Sequence, residues 1–182
     1  AALPKFFGNL LVLCGNIVYG KKPSYLKFRA VEVIARVPYH SWESAAYTLL
    51  TLFFTDEKRA MKLSEMSWFS RTAKENETMH VVVISHFARA EKVVSIIRGT
   101  VVPLMFAFVY FWGVYILYLV NPRHALELNF MFETHAFHQY GEFVEMNREA
   151  LKAKSASSEY LTWYGRTVSN QLEFFESVRV DE

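Results

Sequence analysis

The feature that most constrains the fold is a run of 22 residues, 99–120, that contains no charged side chain. A helix rises about 1.5 Å per residue, so the run would extend for roughly 33 Å, about the thickness of the hydrocarbon core of a bilayer. Hydropathy alone therefore predicts a transmembrane helix. The run ends at Asn121-Pro122, and a helical pattern resumes soon after it.

Turn-forming residues are scarce along the whole chain, with 7 glycines and 5 prolines in 182 residues. The frequent turns of a β protein are missing, so the sequence predicts an all-α fold of long helices. Thr55-Asp56-Glu57 has the composition of a helix start, and Pro38 is expected to kink its helix or to end it early. The predicted helical stretches are 6–19, 25–54, 55–86, 99–120, 125–153 and 167–182, with a loop at 155–158.

Composition narrows the functional classes. The net charge of +2 gives no reason to expect nucleic acid as a partner, and the single cysteine, Cys14, excludes an internal disulfide and any site built from several thiolates. Hydrophobic residues make up 52% of the chain and aromatic residues 16%, which predicts a surface that faces something apolar. The length suits one domain, 1–182, with a membrane-associated N-terminal segment at 1–22.

Each main predicted helix carries a glutamate among apolar neighbours. Glu77 and His80 are three residues apart and therefore lie on one face of a helix, the spacing by which helical bundles offer a carboxylate and an imidazole to one metal ion. Buried carboxylates would repel one another, and two iron ions would remove that repulsion. The glutamates in this pattern are Glu32, Glu77, Glu133 and Glu182.

Simpler interpretations of the same residues involve no metal. Glu32 lies three residues after Arg29 and four before Arg36, so these three residues could form an ordinary solvated salt-bridge stripe. His80 alone is more often a core or surface histidine than a ligand, and no role is predicted for the other five histidines. Two further acids are better interpreted as surface residues: Glu75 and Glu142.

Three ordered motifs make a family resemblance specific. Val31–Tyr39 resembles the first-ligand helix of plastid terminal oxidases, Glu75–His80 is similar to the second-ligand motif of alternative oxidases, and Glu133–Phe143 resembles the third. Asn147–Lys152 and the junction Leu117–Pro122 also look like the plastid branch. The resemblance covers roughly residues 25–182.

This resemblance implies a ferritin-like four-helix di-iron bundle with extra membrane-facing helices, in a monotopic protein that lies in one leaflet. That expectation overrides the transmembrane prediction for 99–120. It also implies that Tyr140 stands beside the iron pair and acts in catalysis, and that Lys27 and Arg29 meet lipid head groups or bind quinol. The implied metal-site residues are Glu32, Glu77, His80, Glu133 and Glu182.

The implied activity is that of a quinol oxidase, which reduces O2 to water with electrons from plastoquinol or ubiquinol and pumps no protons. The plastid-like motifs favour the chloroplast thylakoid membrane over the alternative, the mitochondrial inner membrane. Expected partners are the quinol, O2 and membrane lipid, with a homodimer or a place in a larger membrane complex as the alternatives for assembly.

The fourth motif departs from the family pattern. In the family it continues from the glutamate to a histidine three residues later, whereas this sequence ends at Glu182. Three explanations are open: the sequence is part of a longer chain, the chain has been shortened, or the protein has lost the end of the site. A second functional hypothesis follows: a catalytically degenerate accessory subunit of a photosynthetic or respiratory complex. A third is an ordinary membrane-spanning protein with chance acids.

Overall fold

The computed structural model describes residues 2–92 and 95–182, and the described residues are almost entirely helical with no β-strand among them. The predicted all-α class is confirmed. The helices are α1 (Ala2–Tyr19), α2 (Tyr25–Phe53), α3 (Glu57–Ala90), α4 (Val102–Val120), which follows a π-helical turn (Ile97–Val101), α5 (Pro122–Lys152), α6 (Glu159–Tyr164) and α7 (Gln171–Asp181).

Side-chain caps begin α3 and α5. Asp56 accepts a hydrogen bond from the backbone N–H of Arg59 at 3.1 Å, which confirms the helix start predicted there. Asn121 caps α5 in the same way through the N–H of His124, at 3.2 Å, and Pro122 occupies the first turn, where a missing N–H costs nothing.

Pro38 does not end α2, which continues to Phe53, so the prediction of an early end is wrong. Pro38 is buried, and the adjoining Ser41 hydroxyl lies 2.9 Å from the carbonyl of Val37 and 3.1 Å from that of Phe111 in α4. Packing of α2 along α3 and α4 therefore outweighs the cost of a proline inside a helix, about 3 kcal/mol.

The chain after α5 differs most from prediction. The short helix α6 was not predicted; it ends at Gly165, whose φ of 86° is the left-handed conformation that glycine favours. The last helix begins at Gln171 and not at 167, because the N–H of Gln171 bonds to the carbonyl of Lys154 and Asn170 caps the helix. The predicted loop at 155–158 is present.

Helices α2, α3, α5 and α7 form the bundle that positions the site. α2 packs along α3, and α5 packs along α7. Aromatic rings fill the space between them: Phe28 stacks on Tyr140 with ring centres 4.2 Å apart, and Phe143 and Phe175 meet edge-on at 5.0 Å. Each such fully buried ring contributes about 1.5–3 kcal/mol of hydrophobic stabilisation.

Helices α1 and α4 lie outside this bundle. The end of α1 lies beside the π-helical turn that precedes α4, where the hydroxyl of Tyr19 donates to the carbonyl of Arg98 at 2.5 Å. The segment Ile97–Val120 is long and apolar enough to cross a bilayer, yet only 11% of its most apolar stretch is buried. The two helices expose large apolar side chains: Phe6, Leu13 and Ile17 on α1, and Leu104, Met105, Phe108, Val109, Trp112, Ile116 and Val120 on α4.

Candidate metal centre

The structure brings predicted metal-site residues from distant parts of the sequence together. Glu32 lies on α2, Glu77 and His80 lie on α3, and Glu182 directly follows α7. One ligand atom from each of these four residues lies within 4.8 Å of every other. The side chains of Glu32, His80 and Glu182 have no exposed surface, and Glu77 is nearly as buried.

His80 stands at the middle of this group. Its Nδ1 lies 3.3 Å from Glu32 Oε2, 3.3 Å from Glu77 Oε2 and 4.0 Å from Glu182 Oε1. Its Nε2 lies 3.0 Å from Oδ2 of Asp181. An ionised Asp181 accepts a hydrogen bond from Nε2–H, so in the neutral imidazole that would bind a metal ion the lone pair is on Nδ1, facing the carboxylates.

Asp181 is a site residue that sequence reasoning missed. Besides His80, its Oδ2 accepts from Nη1 of Arg166 at 2.6 Å and from Nδ2 of Asn76 at 3.3 Å. Burial alone would raise the pKa of Asp181, but the hydrogen bonds from His80 and Arg166 lower it to about 2. The carboxylate is therefore ionised and holds the imidazole in one orientation. Its position beside Glu182 was the only available signal in the sequence.

Glu133 lies on α5 at the edge of this group, 8% exposed. Its Oε1 accepts from the hydroxyl of Tyr39 at 3.0 Å and from Nδ2 of Asn129 at 3.1 Å, and its Oε2 has no hydrogen-bond partner. Burial and the charge of Glu77 raise the pKa of the Glu133 carboxyl, although its hydrogen bonds oppose the rise. Sequence analysis gave no role to Tyr39 or Asn129, which fix this carboxylate from one side.

Tyr140 lies on α5 about two turns after Glu133 and is completely buried. Its hydroxyl donates a short hydrogen bond to Oε1 of Glu32, and its ring stacks on Phe28. Burial and the charge of Glu32 raise the pKa of the hydroxyl well above its usual value, so the phenol holds its proton.

Burial destabilises the ionised form of the carboxyl groups of Glu77 and Glu182, and the negative charges of neighbouring carboxylates add to this effect. Burial and the charge of Glu32 raise the pKa of Glu77 to about 8, and burial and the neighbouring carboxylates raise that of Glu182. Burial alone would lower the pKa of His80, but the charge of Glu77 and the hydrogen bond with Asp181 raise it. A cation placed among these groups would reverse this destabilisation.

The unpaired atoms of the cluster show what it can hold. Several buried ligand atoms have no hydrogen-bond partner in the described part of the chain: Glu32 Oε2, Glu77 Oε2, His80 Nδ1, Glu133 Oε2 and both carboxylate oxygens of Glu182. Buried polar atoms without partners are costly, and carboxylate oxygens with one imidazole are the ligands that iron and manganese prefer in helical bundles. The donor set therefore fits a metal pair.

The salt-bridge alternative for Glu32 is not what the structure shows. Among the described residues Glu32 makes no ion pair with Arg29 or Arg36, and Arg29 instead donates to Oγ1 of Thr100 at 3.2 Å. Glu75 and Glu142 are exposed, as predicted.

Comparison with known proteins assigns the family. The family model described as alternative oxidase matches residues 16–182. The chain belongs to the alternative oxidase family. Neither the curated proteins nor the solved structures gave a match.

Membership of the alternative oxidase family confirms the predicted resemblance and the helical bundle fold, and it excludes the hypothesis of a membrane-spanning protein with chance acids. The exposed apolar surface of α1 and α4 fits the monotopic attachment of these membrane proteins. The family oxidises quinol with O2 at a di-iron site, and the cluster of glutamates with His80 is this chain's candidate for that site.

The two basic residues predicted to bind quinol lie apart. Lys27 is buried in a largely apolar pocket between α1, α2, α4 and α5, where its Nζ bonds to Asn16 Oδ1 at 2.9 Å, Lys21 O at 3.0 Å and Gln139 Oε1 at 3.0 Å. Arg29 does not line this pocket; it lies in a separate groove on the outer side of α2.

Proposed function

We propose that the chain is a plastid-type terminal oxidase, which transfers electrons from plastoquinol to O2 and forms water at the thylakoid membrane. The observation that carries the proposal is the set of buried, unpaired ligand atoms around His80, in a chain of the alternative oxidase family. The plastid assignment is supported by the resemblance of Val31–Tyr39 and Glu133–Phe143 to the plastid branch.

The residues that would hold the metal pair are Glu32, Glu77, His80, Glu133 and Glu182. Two bound iron ions would supply the one-electron redox chemistry that O2 reduction requires. The protein's contribution is to fix these ligands: Asp181 orients His80, whereas Tyr39 and Asn129 orient Glu133.

Tyr140 is proposed as the catalytic residue of the chain. Its proton lies in a hydrogen bond to Oε1 of Glu32, so the phenol can release that proton to the carboxylate as it gives up an electron. Stacking on Phe28 and complete burial hold the ring in place and keep water away from it.

The pocket beside the site is proposed to receive the quinol head group. Its wall includes residues next to the cluster in sequence, Val31 before Glu32 and Gln139 before Tyr140, so a bound ring would lie close to the metal ligands. A quinol oxygen would replace one of the three acceptors that Lys27 Nζ has in the structure, in a wall that is otherwise mainly apolar. The N-terminal segment 1–22, which contains α1, is proposed to lie on the membrane and to form the outer side of this pocket.

Oxygen uptake tests the proposal. Protein purified from its membrane and placed in vesicles should consume O2 when plastoquinol is added. Lys27→Met should raise the KM for quinol roughly tenfold, because a hydrogen bond with a charged donor contributes about 1.5–3 kcal/mol. Lys22→Met, which removes an exposed lysine five residues before Lys27, should leave the KM unchanged.

Absence of quinol-dependent uptake in intact, folded protein would contradict the oxidase proposal. It would favour the alternative of a degenerate accessory subunit, which predicts a constant place beside a larger membrane complex.

A further inference from the structure

A second concave region lies on the side of the molecule away from the Lys27 pocket. This headgroup groove, of about 1180 Å³, lies between the outer faces of α2 and α3, the π-helical turn before α4 and the segment around α6. It shares no lining residue with the Lys27 pocket or with the candidate metal centre. Its polar lining includes Arg29, Ser85, His86, Arg89, Thr100 and Glu159.

Two arginines in this groove have no carboxylate partner in the part of the chain that the structure describes. Among the described residues, Arg29 donates to the hydroxyl of Thr100 and Arg89 makes no ion pair. Four other arginines each pair with a carboxylate: Arg71, Arg123, Arg148 and Arg166. The acid in the lining is Glu159, which is exposed. The described lining therefore carries two arginines and one acid, which leaves a net positive charge in the groove.

The backbone holds Arg29 in position. A Cβ atom at residue 99 would lie 2.8 Å from Nη1 of Arg29, so Gly99 allows the guanidinium to lie directly against the backbone of the π-helical turn. Thr100, in the same π-helical turn, fixes the other end of the guanidinium. A planar guanidinium held in this way is prepared for an oxyanion that accepts two parallel hydrogen bonds.

The groove borders the apolar surface that faces the membrane. Leu104 lies in its wall and is 64% exposed, and Ile96 and Ile97, next to the wall, are more exposed still. Trp163 lines the groove with 73% of its surface exposed, and tryptophan prefers the boundary between head groups and acyl chains. Cationic and apolar surfaces thus meet along one edge.

We propose that the headgroup groove binds the phosphate of an anionic membrane phospholipid through Arg29 and Arg89, with the acyl chains along Leu104 and the start of α4. His86 would donate a further hydrogen bond. This site concerns attachment of the protein to its membrane and does not depend on the oxidase proposal.

Binding to vesicles tests the site. The full chain, the double variant Arg29→Gln/Arg89→Gln and the control Lys58→Gln/Lys62→Gln would be mixed with phosphatidylcholine vesicles, with and without phosphatidylglycerol. The control loses the same charge from exposed positions on the first turns of α3. Phosphatidylglycerol should tighten binding of the wild type and of the control. The double variant should lose roughly tenfold or more of that gain, because each basic residue near an anionic surface contributes about a factor of five.

Native mass spectrometry provides a readout that general charge attraction would not change. Wild type and control should retain one phosphatidylglycerol molecule per chain, and the double variant none. The single variant Arg89→Gln, at an exposed position, should retain lipid less often than wild type. It tests the site even if the double variant does not fold. Equal lipid retention by the double variant and the control would overturn the proposal, as would an equal response of both to phosphatidylglycerol.

Discussion

The interior of the bundle and the surface of α1 and α4 invert the usual distribution of polar and apolar groups. Inside, carboxylates and an imidazole lie where solvent does not reach, and several of their atoms have no partner. Outside, residues such as Phe108 and Trp112 expose half or more of their surface. Either arrangement alone would destabilise a soluble protein.

We infer that each region is completed by a different component from outside the chain. The interior needs cations, because burying carboxylates without them is costly. The surface needs lipid, because exposed apolar side chains are favourable only in an apolar surrounding. The predictions that follow change one region at a time.

The largest effect is expected from Glu133→Ala. This change removes one carboxylate of the cluster and leaves Tyr39 and Asn129 without their acceptor. Iron and quinol-dependent O2 uptake should be lost together, as measured by elemental analysis and an oxygen electrode. Glu142→Ala, at an exposed position on the same helix, is the matched control and should keep both. A Glu133→Ala protein that retains iron would exclude Glu133 as a ligand.

Tyr140→Phe separates chemistry from metal binding. The variant keeps the ring stacked on Phe28 but removes the hydroxyl that donates to Glu32. Iron content should be unchanged, while turnover falls roughly 100-fold, a typical effect of losing a positioned proton donor. Tyr47→Phe, which changes an exposed tyrosine of α2, serves as control. Unchanged turnover in Tyr140→Phe would remove the residue from the mechanism.

The residues that cluster around His80 could be named from the sequence because their signals are local, and their binding of metal stays a prediction. Glu77 and His80 lie one turn apart on one helix, and the apolar neighbours of Glu32 and Glu133 indicated burial. Asp181 was missed because its partner, His80, lies 101 residues away, and no local pattern reports such a contact.

The fold was predictable to a similar extent. Long helices with capping residues were found, whereas the six-residue helix α6 was not, because so short a helix depends on its tertiary surroundings. Pro38 has the local signal of a helix end, and packing against α3 and α4 overrides it. Arg29 and Lys27 are two residues apart in sequence, yet they line different cavities, which only the structure shows.

Asp181→Asn tests how much the interior depends on residues that do not themselves face the metal. The amide weakens the hold on Nε2 of His80 and on Arg166. Iron affinity should fall roughly 10- to 100-fold, the usual effect of removing a carboxylate that orients a histidine ligand. Titration with a chelator would measure it. Glu176→Gln, on the surface of the same helix, should leave the affinity as it is, and an equal loss in both variants would refute a specific role for Asp181.

Phe108→Glu tests the outer region. Phe108 is 67% exposed on α4, and burial of such a ring in lipid contributes about 2 kcal/mol. Vesicle flotation should show membrane affinity reduced roughly 30-fold, with iron content unaffected. Ser64→Glu adds the same charge at an exposed position of α3 and should bind vesicles like wild type. Equal binding by Phe108→Glu would exclude this face of α4 from the membrane surface.

The smallest effect concerns an ion pair outside both regions. Burial alone would raise the pKa of Glu43, but hydrogen bonds from Lys74 and Arg71, at 2.6 and 3.0 Å, lower it below the usual 4.5. A lowered folded pKa stabilises the protein above pH 4.5, and that contribution is lost as the pH falls through the folded pKa. Glu43→Gln should therefore cost at most about 1 kcal/mol at neutral pH. At acidic pH, thermal unfolding of Glu43→Gln should differ little from that of wild type. A loss of stability in the variant that grows as the pH falls would contradict the predicted pH dependence.

The central claim is that the unpaired carboxylates around His80 form a metal site, and metal content tests it most directly. Protein purified from its native membrane, with the intact chain confirmed by mass, would be analysed for iron. We expect two iron ions per chain, lost on chelation and recovered when ferrous iron is returned. Intact, folded protein that contains no iron and takes up none would contradict it.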